Sequence, residues 1–432
     1  MPASSAAVRT PADPHQNELQ FPPAPPSVVP YGHEGAVAPP QARPLQPLIV
    51  VPKLDSGAAG SGVIELVRIL AGAGHRPIVV TEGGSRTDEL AAHGVEWFPM
   101  RVASINPAVM LANVPRLMRL MRTRQCDLVH AHGRAAAWSA YLAARCMRRP
   151  LVTTWYKGFR EQNVFKRLYN GVMARGARVI VVSDQIADLL GERYGLPLSR
   201  IDVIPPSVDL DRFDLGAVSA ERIEAMRRSW GAGPQTKVML VVGRMSRRKG
   251  HHVVVDAVGR LNALGLKDFL CVFASEGGVR TRYAAALWDR VLTTGAANFV
   301  RLAGRIDDLP AAYAASSVVV SAAVQAEGVQ RATLEAQAMA RPVIVSDLSA
   351  GADVVLAPPA VSEDRMTGMR FPAGDASALA AAVVRLFSIP EAARIAIGAR
   401  GRVWASANFN ATAIRGQTLA LYEAVGRTKP DA

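Results

Sequence analysis

From residue 47 onward, short apolar runs alternate with longer amphipathic segments. The apolar runs are rich in Val, Ile and Leu, which is typical of parallel strands buried on both faces, and the amphipathic segments have helical spacing. The predicted strands are 48–51, 77–81, 128–132, 151–155, 179–183, 237–242, 269–274, 318–321 and 342–346. The predicted helices are 63–73, 107–124, 134–147, 161–175, 184–195, 250–264, 279–292, 309–315, 330–340, 376–387 and 391–405.

This alternation runs twice, with a break at 204–216 where prolines interrupt both periods. The pattern predicts an α/β protein with two doubly wound, Rossmann-like domains that face a central cleft. We expect an N-terminal domain at 48–205 and a C-terminal domain at 206–404. Ligands of such sheets bind at the carboxyl ends of the strands, so the motifs that follow strands are the candidate site residues.

The first 47 residues differ in composition from the rest. They contain 12 of the 29 prolines and no helical or strand period, so we expect a disordered tail, partly polyproline II, with a second short tail at 426–432. No apolar run approaches the ~20 residues of a membrane span, and the N-terminus lacks the pattern of a secretory signal. The three cysteines form no Cys-x-x-Cys motif, which argues against a disulfide or zinc framework and favours a reducing cytoplasm.

Charge is distributed unevenly along the chain. Lys and Arg number 50 against 36 Asp and Glu, a net charge of +14. Between Arg101 and Arg178 the chain has 15 basic residues and only two acidic ones. Such a field attracts nucleic acid, an anionic membrane or phosphorylated substrates. Nucleic acid is disfavoured, because the region lacks metal-finger spacing and interleaved aromatic residues.

Within this basic region, residues 115–124 alternate apolar and basic side chains at helical spacing. The apolar face and the arginines that flank it are Leu117, Leu120 and Met121, with Arg116, Arg119 and Arg122. Two interpretations stay open: a solvated basic face on a packed helix, or contact of the apolar face with an anionic membrane leaflet.

The first candidate motif, Gly243-Arg-Met-Ser-Arg-Arg-Lys-Gly250, lies between a predicted strand and a predicted helix. Glycine lets the backbone approach a ligand closely, while Arg244 and Lys249 suit phosphate oxygens as a fork and as a point charge. The motif is not a Walker loop, which needs Gly-x4-Gly-Lys-Ser/Thr. The alternative is a basic connection that binds nothing.

In the second motif, Glu327 and Glu335 lie eight residues apart across a strand–loop–helix junction. On one helix they would be ~12 Å apart along its axis, too far to act on one atom. From a loop and from a helix, both can face one extended ligand, and carboxylates accept pairs of sugar hydroxyls well. The alternative is a pair of solvated surface glutamates.

The third and fourth motifs fall in the N-terminal half. His130 and His132 are two apart on a predicted strand and share a face, but no third ligand indicates zinc. His132, at the carboxyl end of the strand, is the better site candidate. The glycines Gly57, Gly60 and Gly62 follow the first strand, and their spacing differs from the Gly-x-Gly-x-x-Gly of Rossmann dehydrogenases.

In chain order, the features are the glycine-rich segment, the His130/His132 pair, the Val-Ile-Pro-Pro-Ser-Val-Asp stretch at 203–209, the 243–250 motif and the Glu327/Glu335 pair. This ordered set resembles the retaining glycosyltransferases of family 4, which have the two-domain GT-B fold. The resemblance covers about 48–425. It implies transfer of a sugar from a UDP- or GDP-linked donor to a lipid-linked, lipopolysaccharide or polysaccharide acceptor, with no metal or other cofactor. With the basic N-terminal half, it suggests a cytoplasmic enzyme bound peripherally to an anionic inner membrane. It also implies that the last helix, at 405–425, crosses back onto the N-terminal domain.

The same resemblance assigns roles to individual residues. Arg244 and Lys249 bind the donor diphosphate and stabilise the negative charge that it gains as the leaving group, and Glu335 binds the ribose. Glu327, with the backbone N–H groups that follow it, holds hydroxyls of the donor sugar, which His132 faces from the other domain. The remaining predicted donor-side residues are Gly57, Gly243, Gly304 (near the nucleobase), Gly328, Val329 and Leu334.

The chain departs from the family pattern in several places, and two of them bear on the site. Gln330 replaces a glycine where backbone approaches the sugar, and Trp155-Tyr156-Lys157-Gly158 stands where many members have His-Gly. These departures leave two alternatives open, namely a GT-B-fold nucleotide-sugar epimerase or hydrolase, and a non-catalytic binding or scaffold protein.

Overall fold

The computed structural model describes residues 43–55, 57–158, 163–275, 281–325, 329–348 and 354–427. Within these ranges the chain forms two parallel β-sheets flanked by helices. The predicted fold class, α/β with two doubly wound units, is confirmed. Most of the predicted N-terminal tail and the end of the predicted C-terminal tail lie outside the described residues.

The N-terminal sheet has the strand order β3-β2-β1-β4-β5-β6-β7, and all its neighbouring strands are parallel. Its strands are β1 (Pro47–Val50), β2 (Ile78–Thr81), β3 (Trp97–Pro99), β4 (Leu128–His132), β5 (Leu151–Trp155), β6 (Arg178–Val181) and β7 (Ile201–Val203). Its helices are α1 (Ala58–Gly72), α2 (Asp88–Ala92), α3 (Pro107–Thr123), α4 (Arg134–Cys146), α5 (Val164–Gly171) and α6 (Asp184–Tyr194). Leu45 is already buried, so the fold includes residues before the predicted boundary at 48.

The C-terminal sheet has the order β10-β9-β8-β11-β12-β13 and is also parallel. Its strands are β8 (Lys237–Val242), β9 (Phe269–Ala274), β10 (Val300–Gly304), β11 (Val318–Ser321), β12 (Val343–Ser346) and β13 (Gly368–Phe371). The helices of this half are α7 (Ala220–Trp230), α8 (His251–Ala263), α9 (Arg282–Thr293), α10 (Leu309–Ala315), α11 (Arg331–Ala338), α12 (Ala376–Ser388), α13 (Glu391–Asn408) and α14 (Ala411–Gly426).

The four strands that the hydrophobic pattern missed all lie at sheet edges. They are β3, β7, β10 and β13, each of which ends its sheet. An edge strand pairs on one side only and is covered less, so it needs no continuous apolar run. The central strands β8, β9 and β11 match their predicted bounds, because burial on both faces demands such a run.

The last helix, α14, leaves the C-terminal half and packs on the N-terminal one. Its Leu421, Tyr422 and Val425 are buried in one cluster with Leu45 and Ile49. α14 also contacts α1, where the Arg415 guanidinium donates to the Gly72 carbonyl at 3.1 Å. This helix therefore ties the two halves together on the side of α1.

Helix α3 decides between the two interpretations of the basic segment 115–124. Leu117, Leu120 and Met121 are buried in the N-terminal core, where α3 packs against α4. The apolar face is therefore unavailable to a membrane, and that interpretation is wrong. The three flanking arginines are exposed, as expected for a solvated basic face on a packed helix.

Helix α1 begins five residues before its predicted start, so Gly60 and Gly62 lie in its first turns and not in a loop. A Cβ at Gly60 would lie 2.1 Å from the Asp55 carbonyl oxygen, and one at Gly62 would lie 2.5 Å from the Tyr156 hydroxyl. The glycines permit these close approaches, and a glycine-rich segment was mistaken for a loop.

Among the described helices, none is by itself long and apolar enough to span a bilayer. The pair α12 and α13 meets the length and composition test only when the two helices are joined, and they are bent by 113° at their junction.

Candidate active site

The four sequence motifs follow the four central strands of the two sheets. The strand order reverses between β1 and β4 in the N-terminal sheet, and between β8 and β11 in the C-terminal sheet. Open parallel sheets form a ligand crevice at the carboxyl ends of the strands on either side of such a reversal. Gly57 follows β1, His132 ends β4, the 243–250 motif follows β8, and the described part of the second motif, from residue 329, follows β11. The fold thus brings the motifs to these two crevices.

The two crevices meet across a cleft at Gly57 and Arg244. A Cβ added at Gly57 would lie 2.8 Å from a guanidinium nitrogen of Arg244. Gly57 therefore leaves room for the arginine of the opposite half. This contact places Arg244, an exposed side chain of the β8–α8 turn, against the loop after β1.

The β8–α8 turn is held in a tight form by its glycines. Gly250 has φ +69°, and a Cβ there would lie 1.6 Å from the Ala322 carbonyl oxygen, just after β11. The Val324 N–H donates to the Arg248 carbonyl at 3.0 Å, which ties the same two loops again. Gly243 lies beside the Lys249 side chain, and a Cβ added at Gly243 would lie 3.8 Å from Lys249 Cε. The lysine is therefore held at the carboxyl ends of both β8 and β11.

Gln330 joins these two loops through its side chain. Its Oε1 accepts a hydrogen bond from Ser321 Oγ at 2.7 Å and one from Lys249 Nζ at 3.2 Å. The residue that departs from the family pattern thus contacts the lysine that the sequence assigns to the diphosphate.

Glu335 lies in the second turn of α11, and the Tyr313 hydroxyl donates to its Oε2 at 2.7 Å. Glu327 and Gly328 lie outside the described residues. Val329 is partly buried against the C-terminal core. Leu334 is fully buried, and its N–H donates to the Gln330 carbonyl at 3.4 Å, so the structure gives it a packing role.

His132 is buried at the end of β4, where its Nδ1 lies 2.8 Å from the Tyr156 hydroxyl. Burial lowers the pKa of His132 to about 3, so the ring is neutral at physiological pH. Burial, with a further contribution from the Glu65 carboxylate, raises the pKa of Tyr156, which keeps its proton. His132 Nε2 is buried and makes no hydrogen bond with a described residue.

His130 is a packed residue. Its Nδ1 lies 2.5 Å from the hydroxyl of Tyr422 on α14, and its Nε2 lies 2.7 Å from Thr154 Oγ1. Both nitrogens are therefore occupied within the N-terminal half and the helix that packs on it.

Glu65 on α1 contacts the C-terminal half. Its carboxylate forms an ion pair with Arg331 at the start of α11 and accepts hydrogen bonds from the Ser207 hydroxyl and the Ser207 N–H, the latter at 3.2 Å. A cavity of about 180 Å³ adjoins this contact. Its charged lining residues are Glu65, Arg68, Arg86, Asp209, Arg212, Arg331 and Glu335.

Gly304 ends the edge strand β10 with φ +69°. Its carbonyl accepts the Ser275 N–H at 2.7 Å, and a Cβ there would meet open space. It lies two strands away from β8, on the β9 side of the C-terminal crevice.

Three residues of this region escaped the sequence reasoning. Glu65 lies in no motif, and Ser207 was noted only as part of the 203–209 stretch, so only the fold shows that the two residues meet at the cleft. Tyr156 was visible solely as a departure from a family pattern, with no indication that its hydroxyl meets His132. Across the described residues, His, Cys, Asp and Glu form no group of three that could hold a metal ion.

Sequence models of known families match most of the chain. The family described as "Glycosyltransferase Family 4" matches residues 59–212, and that described as "Glycosyl transferases group 1" matches residues 236–388. A solved structure of a glycosyltransferase from Rickettsia africae has a TM-score of 0.79 and 26% identity, covering 90% of this chain and 100% of that one.

Individual curated relatives have a similar level of sequence identity. A 2-deoxystreptamine glucosyltransferase of Streptomyces kanamyceticus is 25% identical over 75% of this chain and 84% of its own length. A GDP-mannose-dependent alpha-(1-6)-phosphatidylinositol monomannoside mannosyltransferase of Mycobacterium tuberculosis is 27% identical over 74% of each chain. With a D-inositol 3-phosphate glycosyltransferase of Thermobifida fusca the identity is 29%, but the match spans only 54% of that relative.

Proposed function

The chain belongs to the glycosyltransferases of family 4 (group 1), and we propose that it transfers a sugar from a nucleoside diphosphate donor to a lipid-linked or polysaccharide-type acceptor with retention of anomeric configuration. The observation that carries this proposal is the position of Arg244 and Lys249. Both follow β8 at the strand-order reversal, and Arg244 lies against Gly57 of the opposite half.

Cleavage of a glycosyl–phosphate bond builds negative charge on the diphosphate and positive charge on the sugar. In the proposed mechanism, Arg244 meets two phosphate oxygens as a fork and Lys249 meets one as a point charge. Such preorganised positive groups stabilise the leaving group more in the transition state than in the ground state, which lowers the barrier. Because these two side chains supply the charge, no metal ion or other cofactor is part of the proposal.

Glu335 is proposed to accept the hydroxyls of the donor ribose. The Tyr313 hydroxyl already donates to one of its oxygens, which orients the carboxylate. Glu327 is proposed to hold the transferred sugar. With Arg244 and Lys249 in the β8–α8 turn and Glu335 on α11, the proposed donor extends from that turn to α11.

Retention is proposed to follow from attack on the face that the diphosphate leaves. The acceptor oxygen forms its bond to the anomeric carbon as the bond to the phosphate oxygen breaks, and that phosphate oxygen takes the proton of the acceptor hydroxyl. His132 does not carry this proton, because a pKa near 3 makes the ring a poor base at neutral pH. Its proposed role is to hydrogen-bond the donor sugar.

The acceptor is proposed to lie on an anionic membrane surface. Helix α5 exposes Val164, Phe165 and Leu168, with exposed fractions of 79%, 82% and 58%, next to exposed Lys166 and Arg167. Exposed apolar side chains interleaved with basic ones favour shallow insertion between anionic headgroups. The mannosyltransferase relative, named for phosphatidylinositol monomannoside, agrees with such an acceptor.

The proposal is tested by incubating the full chain with UDP- and GDP-linked sugars in three conditions: phosphatidylinositol vesicles, lipopolysaccharide and buffer alone. Release of nucleoside diphosphate that requires an acceptor is expected, and the anomeric proton coupling of the product should match that of the donor. Donor consumption in buffer alone would indicate an epimerase or hydrolase. Nucleotide binding without turnover in any condition would indicate a scaffold.

A further inference from the structure

Gln330 lies immediately before helix α11, and its side chain contacts other loops instead of capping this helix. The residue is the N-cap of α11, but its side chain forms no capping hydrogen bond with that helix. The carboxamide oxygen instead accepts a hydrogen bond from Ser321 Oγ at 2.7 Å and one from Lys249 Nζ at 3.2 Å. Its backbone carbonyl accepts the N–H groups of Thr333 and Leu334, which fixes the residue against the helix.

The two hydrogen bonds at Oε1 have different consequences. Ser321 ends β11, a central strand of the sheet, so its hydroxyl fixes the direction of the Gln330 carboxamide. The carboxamide oxygen then restricts the Lys249 ammonium, which lies at the end of a flexible four-carbon stem. An amide oxygen orients the ammonium without neutralising it, whereas a carboxylate would compete with a phosphate for the same charge.

We propose that Gln330 is a positioning residue that holds the Lys249 ammonium at the carboxyl ends of β8 and β11, where it receives the diphosphate of the donor. Ser321 supports Gln330 in this task. The inference rests on the proposed function, because it assumes that Lys249 binds a diphosphate. It gives the glutamine a role that a glycine at this position cannot have, since glycine has no side chain to reach the lysine.

Preorganisation predicts how binding should change. A lysine that is already restrained loses less side-chain entropy when a ligand binds, so the restraint tightens the complex. Gln330→Ala should weaken the binding of UDP or GDP, whichever the wild type binds, by roughly three- to tenfold. Ser321→Ala should weaken it less. Gln330→Glu should weaken it more than Gln330→Ala, because the new carboxylate pairs with the lysine and repels the diphosphate.

A double-mutant cycle separates positioning from other roles. Binding of UDP and GDP is measured by calorimetry for wild type, Gln330→Ala, Lys249→Ala and the double variant, after thermal unfolding has shown that each folds. If Gln330 acts through Lys249, removing Gln330 has no further effect once Lys249 is gone. Arg290→Ala, which breaks an exposed ion pair with Asp256 between α8 and α9, is the control and should bind as wild type does.

Each outcome bears on a different claim. Wild-type protein that binds neither nucleotide would overturn the proposed function and this inference with it. A second outcome would overturn the inference alone. If the wild type binds nucleotide, and Gln330→Ala weakens binding as much in the Lys249→Ala background as in the wild type, then Gln330 contacts the ligand itself. Unchanged binding by both Gln330→Ala and Gln330→Glu would likewise overturn the inference alone.

Discussion

The carboxylate of Glu65 on α1 and the guanidinium of Arg331 on α11 form an ion pair that joins the two halves of the protein across the cleft. Ser207, in the segment between the two sheets, donates two further hydrogen bonds to Glu65. The Glu65 side chain is only 13% exposed, so these contacts are largely screened from water. Arg331 lies one helical turn before Glu335, which places this tie beside the proposed ribose site.

This tie is expected to favour the closed cleft. Glu65→Ala removes hydrogen bonds to a charged group, worth about 1–3 kcal/mol. A change of that size shifts an open–closed equilibrium by roughly five- to 150-fold. Small-angle X-ray scattering of the variant without ligand should therefore show a larger radius of gyration than the wild type.

The matched control for this scattering experiment is Arg222→Ala, which breaks an ion pair with Asp308 inside the C-terminal half. It should leave the scattering profile unchanged. Identical profiles for Glu65→Ala and wild type would show that the ion pair does not hold the halves together.

The contact between His132 and Tyr156 predicts which nitrogen of the histidine carries the proton. Within the described residues, the sole hydrogen-bond partner of the Tyr156 hydroxyl is His132 Nδ1. The hydroxyl proton therefore points to Nδ1, and His132 carries its own proton on Nε2. In ¹⁵N spectra of histidine-labelled protein, the His132 signal should have the Nε2–H pattern from pH 5 to 8. The Tyr156→Phe substitution should shift the Nδ1 resonance of His132. If His132 in the wild-type protein shows the pattern of a ring protonated at Nδ1, this assignment is contradicted.

Buried histidines predict a loss of stability in mild acid. Burial lowers the pKa of His130 well below 6.5, that of His132 to about 3 and that of His251 to about 4. As the pH falls below about 6.5, these histidines bind protons in the unfolded chain but stay neutral in the folded one. The free energy of unfolding therefore decreases. Between pH 7.5 and 5.5 each such histidine contributes a loss of about 1.4 kcal/mol.

This loss is measured as the urea midpoint of unfolding at the two pH values. The wild-type midpoint should be lower at pH 5.5, and His251→Gln should reduce the difference between the two pH values, because one of the buried histidines is removed. A midpoint that is equal or higher at pH 5.5 would contradict the prediction.

Helix α5 predicts how the protein binds membranes. Phe165→Ser with Leu168→Ser removes two exposed apolar side chains and should weaken binding to anionic vesicles, such as those containing phosphatidylglycerol, by tenfold or more, at about 25 cal/mol per Å² of buried apolar area. The control is Leu292→Ser, an exposed leucine on α9 in the other half. Equal sedimentation of both variants with vesicles would rule out α5 as the contact.

The sequence allowed the central strands to be predicted and showed which candidate motifs follow them, because both depend on local patterns. The strands β8, β9 and β11 are continuous apolar runs, and Arg244 and Lys249 sit immediately after one of them. The contacts that organise the site join distant positions. Gln330 and Lys249 are 81 residues apart, and Glu65 and Arg331 are 266 apart. No local pattern encodes such pairs, since they depend on how two sheets and the helices around them pack.

The same reason explains why two interpretations of α3 stayed open at the level of sequence. Its apolar face has the same spacing whether a membrane or a neighbouring helix covers it, and only the structure shows α4 in that place. The exposed apolar residues of α5 gave no signal, because three apolar residues in a short helix are common in packed helices as well.

The central claim is that Lys249 binds the diphosphate of a sugar donor and helps it to leave. The most direct test is the rate of nucleoside diphosphate release from the preferred donor and acceptor by Lys249→Ala. The account predicts a fall of about 10²–10³-fold with an unchanged unfolding midpoint, while Lys267→Ala, at an exposed lysine of the same half, keeps the wild-type rate. A Lys249→Ala variant that turns over the donor as fast as the wild type would contradict the account.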